Sequence, residues 1–174
     1  DSMNPYSRKG RAASLSSAPF ESLLVETGDE IGSSYGLLAE SIEYPADQKW
    51  VIFQLRKKAK FSDGTPLTAD DVAFTYKLFL EQGLPSYRAV LADIVQDVEV
   101  LGPHAIKYNF TEKASKRDAI PIVGGLPVKS QAWFEKNQAR LDESRMEPAI
   151  GSGPYVMDSF EINRWVKYRR NPDY

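Results

Sequence analysis

The chain of 174 residues carries 22 basic and 24 acidic side chains, a formal net charge of -2. The two signs are mixed along the sequence, which makes no electrostatic case for nucleic acid or an anionic membrane as partner. There is no cysteine, which excludes thiol catalysis, disulfides and cysteine-based zinc sites within it, and no apolar run approaches the roughly 18 to 20 residues of a transmembrane helix.

In chain order, residues 1–17 show no periodicity, and Asp1-Ser2-Met3-Asn4-Pro5 lacks the basic-then-apolar pattern of a signal peptide. Ser7-Arg8-Lys9-Gly10-Arg11 is a short basic loop. It reads either as a solvated connection or as an anion-attracting strip on a cleft wall. Ala18-Pro19 predicts a short helix through Leu24, with proline at its first position and Phe20, Leu23 and Leu24 on one face. Residues 28–34 form a polar connection.

Residues 36–61 predict a β-hairpin. Ala39 to Tyr44 alternates, Pro45-Ala46-Asp47-Gln48 supplies the turn, and Trp50 to Arg56 returns. Val51, Phe53 and Leu55 are expected on the core face of the returning strand. Asp63-Gly64 then marks a turn and Thr65-Pro66 an extended segment. Thr68 is expected to cap a helix from Ala69 to Glu81, with Asp71 completing a capping box. Val72, Tyr76, Phe79 and Leu80, widened by Phe74 and Leu78, form its apolar stripe.

Beyond Gly83, Ser86 is expected to cap a short turn through Ala92, opened by Tyr87 and Arg88. Residues 94–100 and 105–110 alternate around Gly102-Pro103-His104 and predict a second hairpin. His104, the single histidine, is expected to be an exposed turn residue; a zinc site or a Ser-His-Asp triad built on it is disfavoured. Residues 113–122 predict a short helix. Ile122 to Val128 reads as an apolar strand broken by Gly124 and Gly125, a pair that marks a bend or the close approach of a ligand or backbone. Ser130 caps a helix to Lys136, in which only one of Trp133 and Phe134 is well placed for the core. Gly151-Ser152-Gly153 lacks the lysine and helix of a phosphate loop, and residues 155–170 predict a third hairpin.

The predicted class is α+β: a mixed β-sheet with packed helices and a small β-rich subdomain. Its divisions are residues 1–35, the start of the core; 36–112, the hairpin and helix subdomain; and 113–174, the return strands. No residue set is assigned as catalytic, and neither cofactor nor metal is expected. Asp70 and Asp71 could suggest a hydrolase, but adjacent helical residues point about 100° apart. A signalling or chaperone module is the other alternative.

Several motifs carry a resemblance. Phe61-Ser62-Asp63-Gly64-Thr65-Pro66-Leu67-Thr68-Ala69-Asp70-Asp71-Val72 is similar to the signature of the family 5 extracellular solute-binding proteins, the peptide- and nickel-binding components of ABC importers. Leu38 to Ser41 and Trp50 to Arg56 resemble the preceding hairpin. Gly151-Ser152-Gly153-Pro154-Tyr155 and Arg170-Asn171-Pro172-Asp173-Tyr174 resemble two further family motifs. The opening residues and Tyr35 to Pro45 look closest to the subgroup of Yej-type peptide and microcin C binders.

The resemblance implies a lobe of a type II periplasmic-binding-protein-like fold, covering most of the first lobe, in a receptor whose two lobes close over a ligand. It implies a peptide or peptide-like ligand, an ABC permease with ATPase subunits as partner, and a periplasmic or other extracytoplasmic location. Carried onto this chain, the first-lobe binding wall falls on Lys9, Gly10, Arg11 and Tyr87, with Gly124 and Gly125 as a second patch. The basic loop would favour a carboxylate or phosphate on the ligand. A chain lacking the opposing lobe is expected to bind little or no peptide by itself.

Overall fold

A computed structural model describes residues 2–174. The described strands are β1 (Leu24–Glu26), β2 (Ser34–Gly36), β3 (Ala39–Glu43), β4 (Trp50–Leu55), β5 (Val95–Gly102), β6 (Ala105–Phe110), β7 (Tyr155–Glu161) and β8 (Trp165–Arg170). The helices are α1 (Ala69–Gln82), α2 (Pro85–Ile94), α3 (Ala119–Gly124) and α4 (Gln131–Lys136). Strands β3-β4-β6-β5 form the central sheet, and β1-β2 and β7-β8 are separate two-stranded ribbons. The fold is α+β as expected. The expected mixed sheet is corrected: the named strands pair antiparallel throughout, and among the described residues parallel pairing is confined to one isolated Ser2–Ala12 bridge.

The period-2 patterns of β4 and β6 set the buried face of this sheet. Val51, Phe53 and Leu55 lie inside, opposite Tyr108, Ile106 and the end of β6, because successive side chains alternate across a strand. Phe53 meets Tyr108 edge to face at 6.0 Å, and Tyr76 of α1 meets Tyr108 at 5.8 Å. Helix α1 therefore packs on this face through Ala69 and Val72. Farther along, Leu78 and Phe79 enter a second apolar cluster with Leu91, Leu126, Phe134 and Leu141. One helix thus joins the sheet to the segment that follows α3.

Polar groups on α1 reinforce that junction. The Thr68 N–H donates to Asp71 Oδ2 at 3.0 Å, and the Thr68 hydroxyl reaches the same oxygen at 3.2 Å. Asp71 Oδ1 accepts from Gln131 N–H at 3.0 Å, and Thr75 Oγ1 accepts from Lys129 N–H at 2.8 Å. Asp71 and Thr75 are one turn apart, so a single edge of α1 grips the backbone of residues 129–131. Asp70 is exposed while Asp71 is buried, and the two carboxyls do not share a site.

The motifs that carried the resemblance converge. Gly151 accepts from Ser62 N–H (2.8 Å), Gly153 N–H donates to the Pro19 carbonyl (2.9 Å), and Asn171 N–H donates to the Pro154 carbonyl (2.7 Å). A Cβ on Gly151 would stand 1.9 Å from the Pro19 oxygen, so glycine is required there by close backbone approach.

Five local expectations are corrected. No helix spans residues 18–24; turns lead into an extended segment and β1. Glu21, Ser22 and Leu23 carbonyls there accept from Val128, Leu38 and Leu37. A seven-residue helix would instead leave most of its terminal groups unpaired. Helix α2 starts at Pro85, not after Ser86, since proline is already set for a first helical position. The strand read over 122–128 is replaced by α3 at Ala119–Gly124, beginning later than the helix read at 113–122. Gly125 N–H closes its last turn onto the Pro121 carbonyl at 2.8 Å. His104 is half-buried, with Nδ1 enclosed and unpaired, because its hairpin tip folds over β4, where the His104 carbonyl accepts from Leu55 N–H at 2.8 Å.

Candidate functional site

The first loop is ordered by its own short polar side chains. Asn4 donates through Nδ2 to the carbonyls of Leu141 and Glu143 at 2.7 and 2.8 Å, while its Oδ1 accepts from Tyr6 N–H at 3.0 Å. Ser2 is buried and exchanges hydrogen bonds with the backbone of Arg145 at 3.1 and 3.2 Å. The Ser7 and Ser144 hydroxyls both donate to the Lys9 carbonyl at 2.6 Å. Gly10 takes φ 79°, a left-handed turn that glycine adopts without a Cβ clash. The backbone of Lys9-Gly10-Arg11 is thereby fixed against residues 141–145, while these three residues stay exposed.

Tyr87 joins this wall through an aromatic stack. Tyr6 packs edge-on against Phe79 at 5.1 Å, and Tyr87 packs on the same ring at 6.0 Å. Burial pushes both phenols above their ordinary pKa, so both hydroxyls remain protonated donors near neutrality. Phe79 thus links the root of the first loop to the α1–α2 corner, and Tyr87 keeps 38% exposure there.

Arg11 also borders a groove of about 460 Å³ between the loop and the β7–β8 ribbon, with Arg164, Trp165 and Ile162 on the opposite side. That volume lies in the range of small-molecule sites. Tyr168 donates to the Ser14 carbonyl at 2.9 Å, which ties the ribbon to the first loop, and Trp165 Nε1 donates to Glu161 at 3.0 Å within the ribbon. Arg164 is paired with Glu161, which also lines the groove, so Arg11 beside the Trp165 indole is the guanidinium that can meet an anionic group attached to an apolar body.

Gly124 and Gly125 lie apart from these walls. Gly124 is buried, with Leu24 so close that a Cβ would fall 2.7 Å from its Cδ1. Gly125 is exposed at the end of α3, beside a hollow formed by residues 22–34 and 117–125. The close approach that this glycine pair signalled is made at Gly124 by the β1 leucine side chain.

Sequence reasoning missed Arg164 and Trp165, whose proximity to Arg11 depends on how the third hairpin folds back. It also missed Lys129, which is 2% exposed. The available signal there was a lysine following the apolar run Leu126-Pro127-Val128.

Antiparallel sheets backed by helices form an α+β lobe with the fold of type II periplasmic binding proteins. The periplasmic oligopeptide-binding protein of Thermotoga maritima superposes with a TM-score of 0.79 at 24% identity, over 98% of this chain and 31% of that one. The binding protein AgaA of Agrobacterium tumefaciens R10, solved with agropinic acid, gives 0.75 at 26% identity, over 90% of this chain and 30% of that one.

The model of the bacterial extracellular solute-binding proteins, family 5, matches residues 34–174, and the chain belongs to this family. YejA of Agrobacterium fabrum is 34% identical over 179 residues, and the peptidoglycan-binding protein YepA of the same organism 31% over 182 residues. Each alignment covers 100% of this chain and 29% of the relative, so the chain spans under a third of their length. The family expected from Phe61 to Val72 is the one found. No helix of the described residues is long and apolar enough to cross a membrane.

Proposed function

We propose that this chain supplies one wall of a receptor that captures peptides or peptide-like solutes outside the cytoplasmic membrane and hands them to an ABC permease with its ATPase subunits. The family membership carries this reading. The names of YejA and YepA, which give peptide and peptidoglycan as ligands, and the fold shared with an oligopeptide-binding protein support it. The binding wall comprises the Lys9-Gly10-Arg11 loop and Tyr87, with the groove beside Arg11 continuing it toward Trp165. Gly125, exposed at the end of α3, marks a secondary patch, whereas Gly124 beside it is covered by Leu24. The chain acts by binding rather than by catalysis.

An exposed lysine and arginine on one loop favour solutes with a carboxylate or phosphate. Ligand that touches both lobes only in the closed state draws the hinge toward closure through that difference in affinity. The test is calorimetry on the full-length receptor with Lys9 and Arg11 both changed to Ala. Binding of a free-acid peptide should weaken about 3- to 10-fold, the scale of one or two exposed charge contacts. Binding of the same peptide amidated should stay unchanged. Equal loss for both forms, or none for either, would contradict the assignment of this loop.

A further inference from the structure

The lysine missed by the sequence reading has an unusual setting. Lys129 is 2% exposed, and its ammonium lies 2.9 Å from the ring centroid of Phe20 and 4.7 Å from that of Tyr6. Burial pushes its pKa well below the ordinary lysine value, and among the described residues no charged partner offsets it. Two aromatic faces attract a cation, but a ring face is not a strong acceptor for the three N–H donors of an ammonium.

A small cavity of about 20 Å³ opens beside this side chain, bordered also by Asn4, Trp133, Arg140, Arg145 and Glu147. Its charged lining is three cations to one carboxylate. Arg140 is paired with Asp142 at 2.9 Å, and Arg145 with Glu143 and Glu147 at 3.3 and 3.4 Å. Among the described residues, Lys129 is the cation of this lining with no paired carboxylate. The space exceeds the roughly 10–15 Å³ that one water-sized guest requires and is too small for a phosphate with its oxygens. A water would give the ammonium an acceptor but no compensating charge, and an uncompensated buried charge is strongly unfavourable.

We propose that this cavity is an internal anion site, in which Lys129 with Arg145 at its rim holds one small anion: a halide, or a single carboxylate group. The proposal rests on the lining of this cavity and is independent of which solute the receptor carries. The anion supplies the counter-charge that the fold withholds from Lys129, and it binds only the folded chain, so it raises stability with concentration.

The test is thermal unfolding of the chain at pH 7 in sodium chloride or sodium formate against sodium gluconate at equal ionic strength, gluconate being too large to enter. Chloride or formate should raise the melting temperature by about 3 °C or more over gluconate, increasing with the logarithm of concentration. Lys129→Met should fold and show no difference among the salts. In parallel, the 13Cε resonance of Lys129 in lysine-labelled wild-type chain should shift on adding formate and stay still with gluconate, a readout that needs no variant. Equal melting temperatures in all salts, an anion effect that survives in Lys129→Met, or an unmoved 13Cε signal would each overturn the proposal. In the full-length receptor, trialanine against trialanine amide separates the sources. Lys129-dependent preference for the free acid assigns the site to the end of a solute, and equal binding assigns it to free anions.

Discussion

Alanine at Gly151 is the sharpest probe of how the family motifs hold together. Its Cβ would stand 1.9 Å from the Pro19 carbonyl oxygen and 2.6 Å from the carbonyl carbon. Both are backbone atoms, so no side chain can swing aside, and one of the two segments must retreat by about 1 Å to reach even a tight contact. That retreat breaks the hydrogen bond from Gly153 N–H to the same oxygen and strains the one from Ser62 N–H to the Gly151 carbonyl. Each is worth about 1 kcal/mol. With the packing lost around Pro19, the total should come to about 3 kcal/mol. In urea unfolding with a slope of about 2 kcal/mol/M, the midpoint should fall by about 1.5 M with the slope unchanged. Gly28, where an added Cβ meets nothing within 4 Å, is the control, and Gly28→Ala should stay within about 0.5 kcal/mol of wild type. A Gly151→Ala variant as stable as that control would refute the reading of this turn as a junction.

Asp71→Ala should cost about 2–4 kcal/mol, because it removes the acceptor shared by Thr68 and Gln131, while Asp70→Ala should cost under about 0.5 kcal/mol; equilibrium unfolding of the pair checks this, and equal costs would count against it. Lys129→Met should raise stability at pH 7 in gluconate by about 1 kcal/mol or more. The pH dependence follows from the lowered pKa of Lys129. Between its folded and unfolded values the unfolded chain carries the extra proton, so wild-type stability is lowest below the folded pKa and climbs as pH rises toward 10.5. The advantage of Lys129→Met should therefore shrink between pH 7 and pH 10 in paired melts, and a constant advantage would show that the ammonium is not the cause. Calorimetry on the 174-residue chain with tri- to pentapeptides should show no binding at micromolar affinity, since the opposing wall of a cleft is needed for closure.

The legible parts of the fold were those dictated by local periodicity. Val51, Phe53 and Leu55 alternate in a run long enough to declare both strand and face. Thr68 with Asp71 announces the start of α1, and Ser130 announces α4 by accepting from Trp133 N–H at 3.2 Å. The misread segments are short, and their partners are remote in sequence. Leu23 and Leu24 have helical spacing with Phe20, yet their backbone pairs with residues 36–39. Around Gly124, apolar content without period could not separate strand from helix, and a leucine a hundred residues earlier decides the packing.

The candidate site was partly legible for the same reason. Lys9-Gly10-Arg11 and Tyr87 were reached through motif resemblance, and Phe79 ties their supports into one wall. Arg164 and Trp165 enter only through the folding back of β7–β8, and Lys129 only through the seam that α1 forms with residues 129–131. The first relation has no local pattern, and the second leaves only a lysine after the apolar run Leu126-Pro127-Val128.

The central claim is that the chain forms part of a receptor wall for peptide-like solutes, and native mass spectrometry of the full-length receptor tests it most directly. The protein purified without refolding should carry an added mass of a short peptide or peptide-like solute, which dissociates on unfolding and rebinds after removal of the denaturant. A ligand-free mass, together with no heat on titration with free-acid or amidated peptides, would contradict the account.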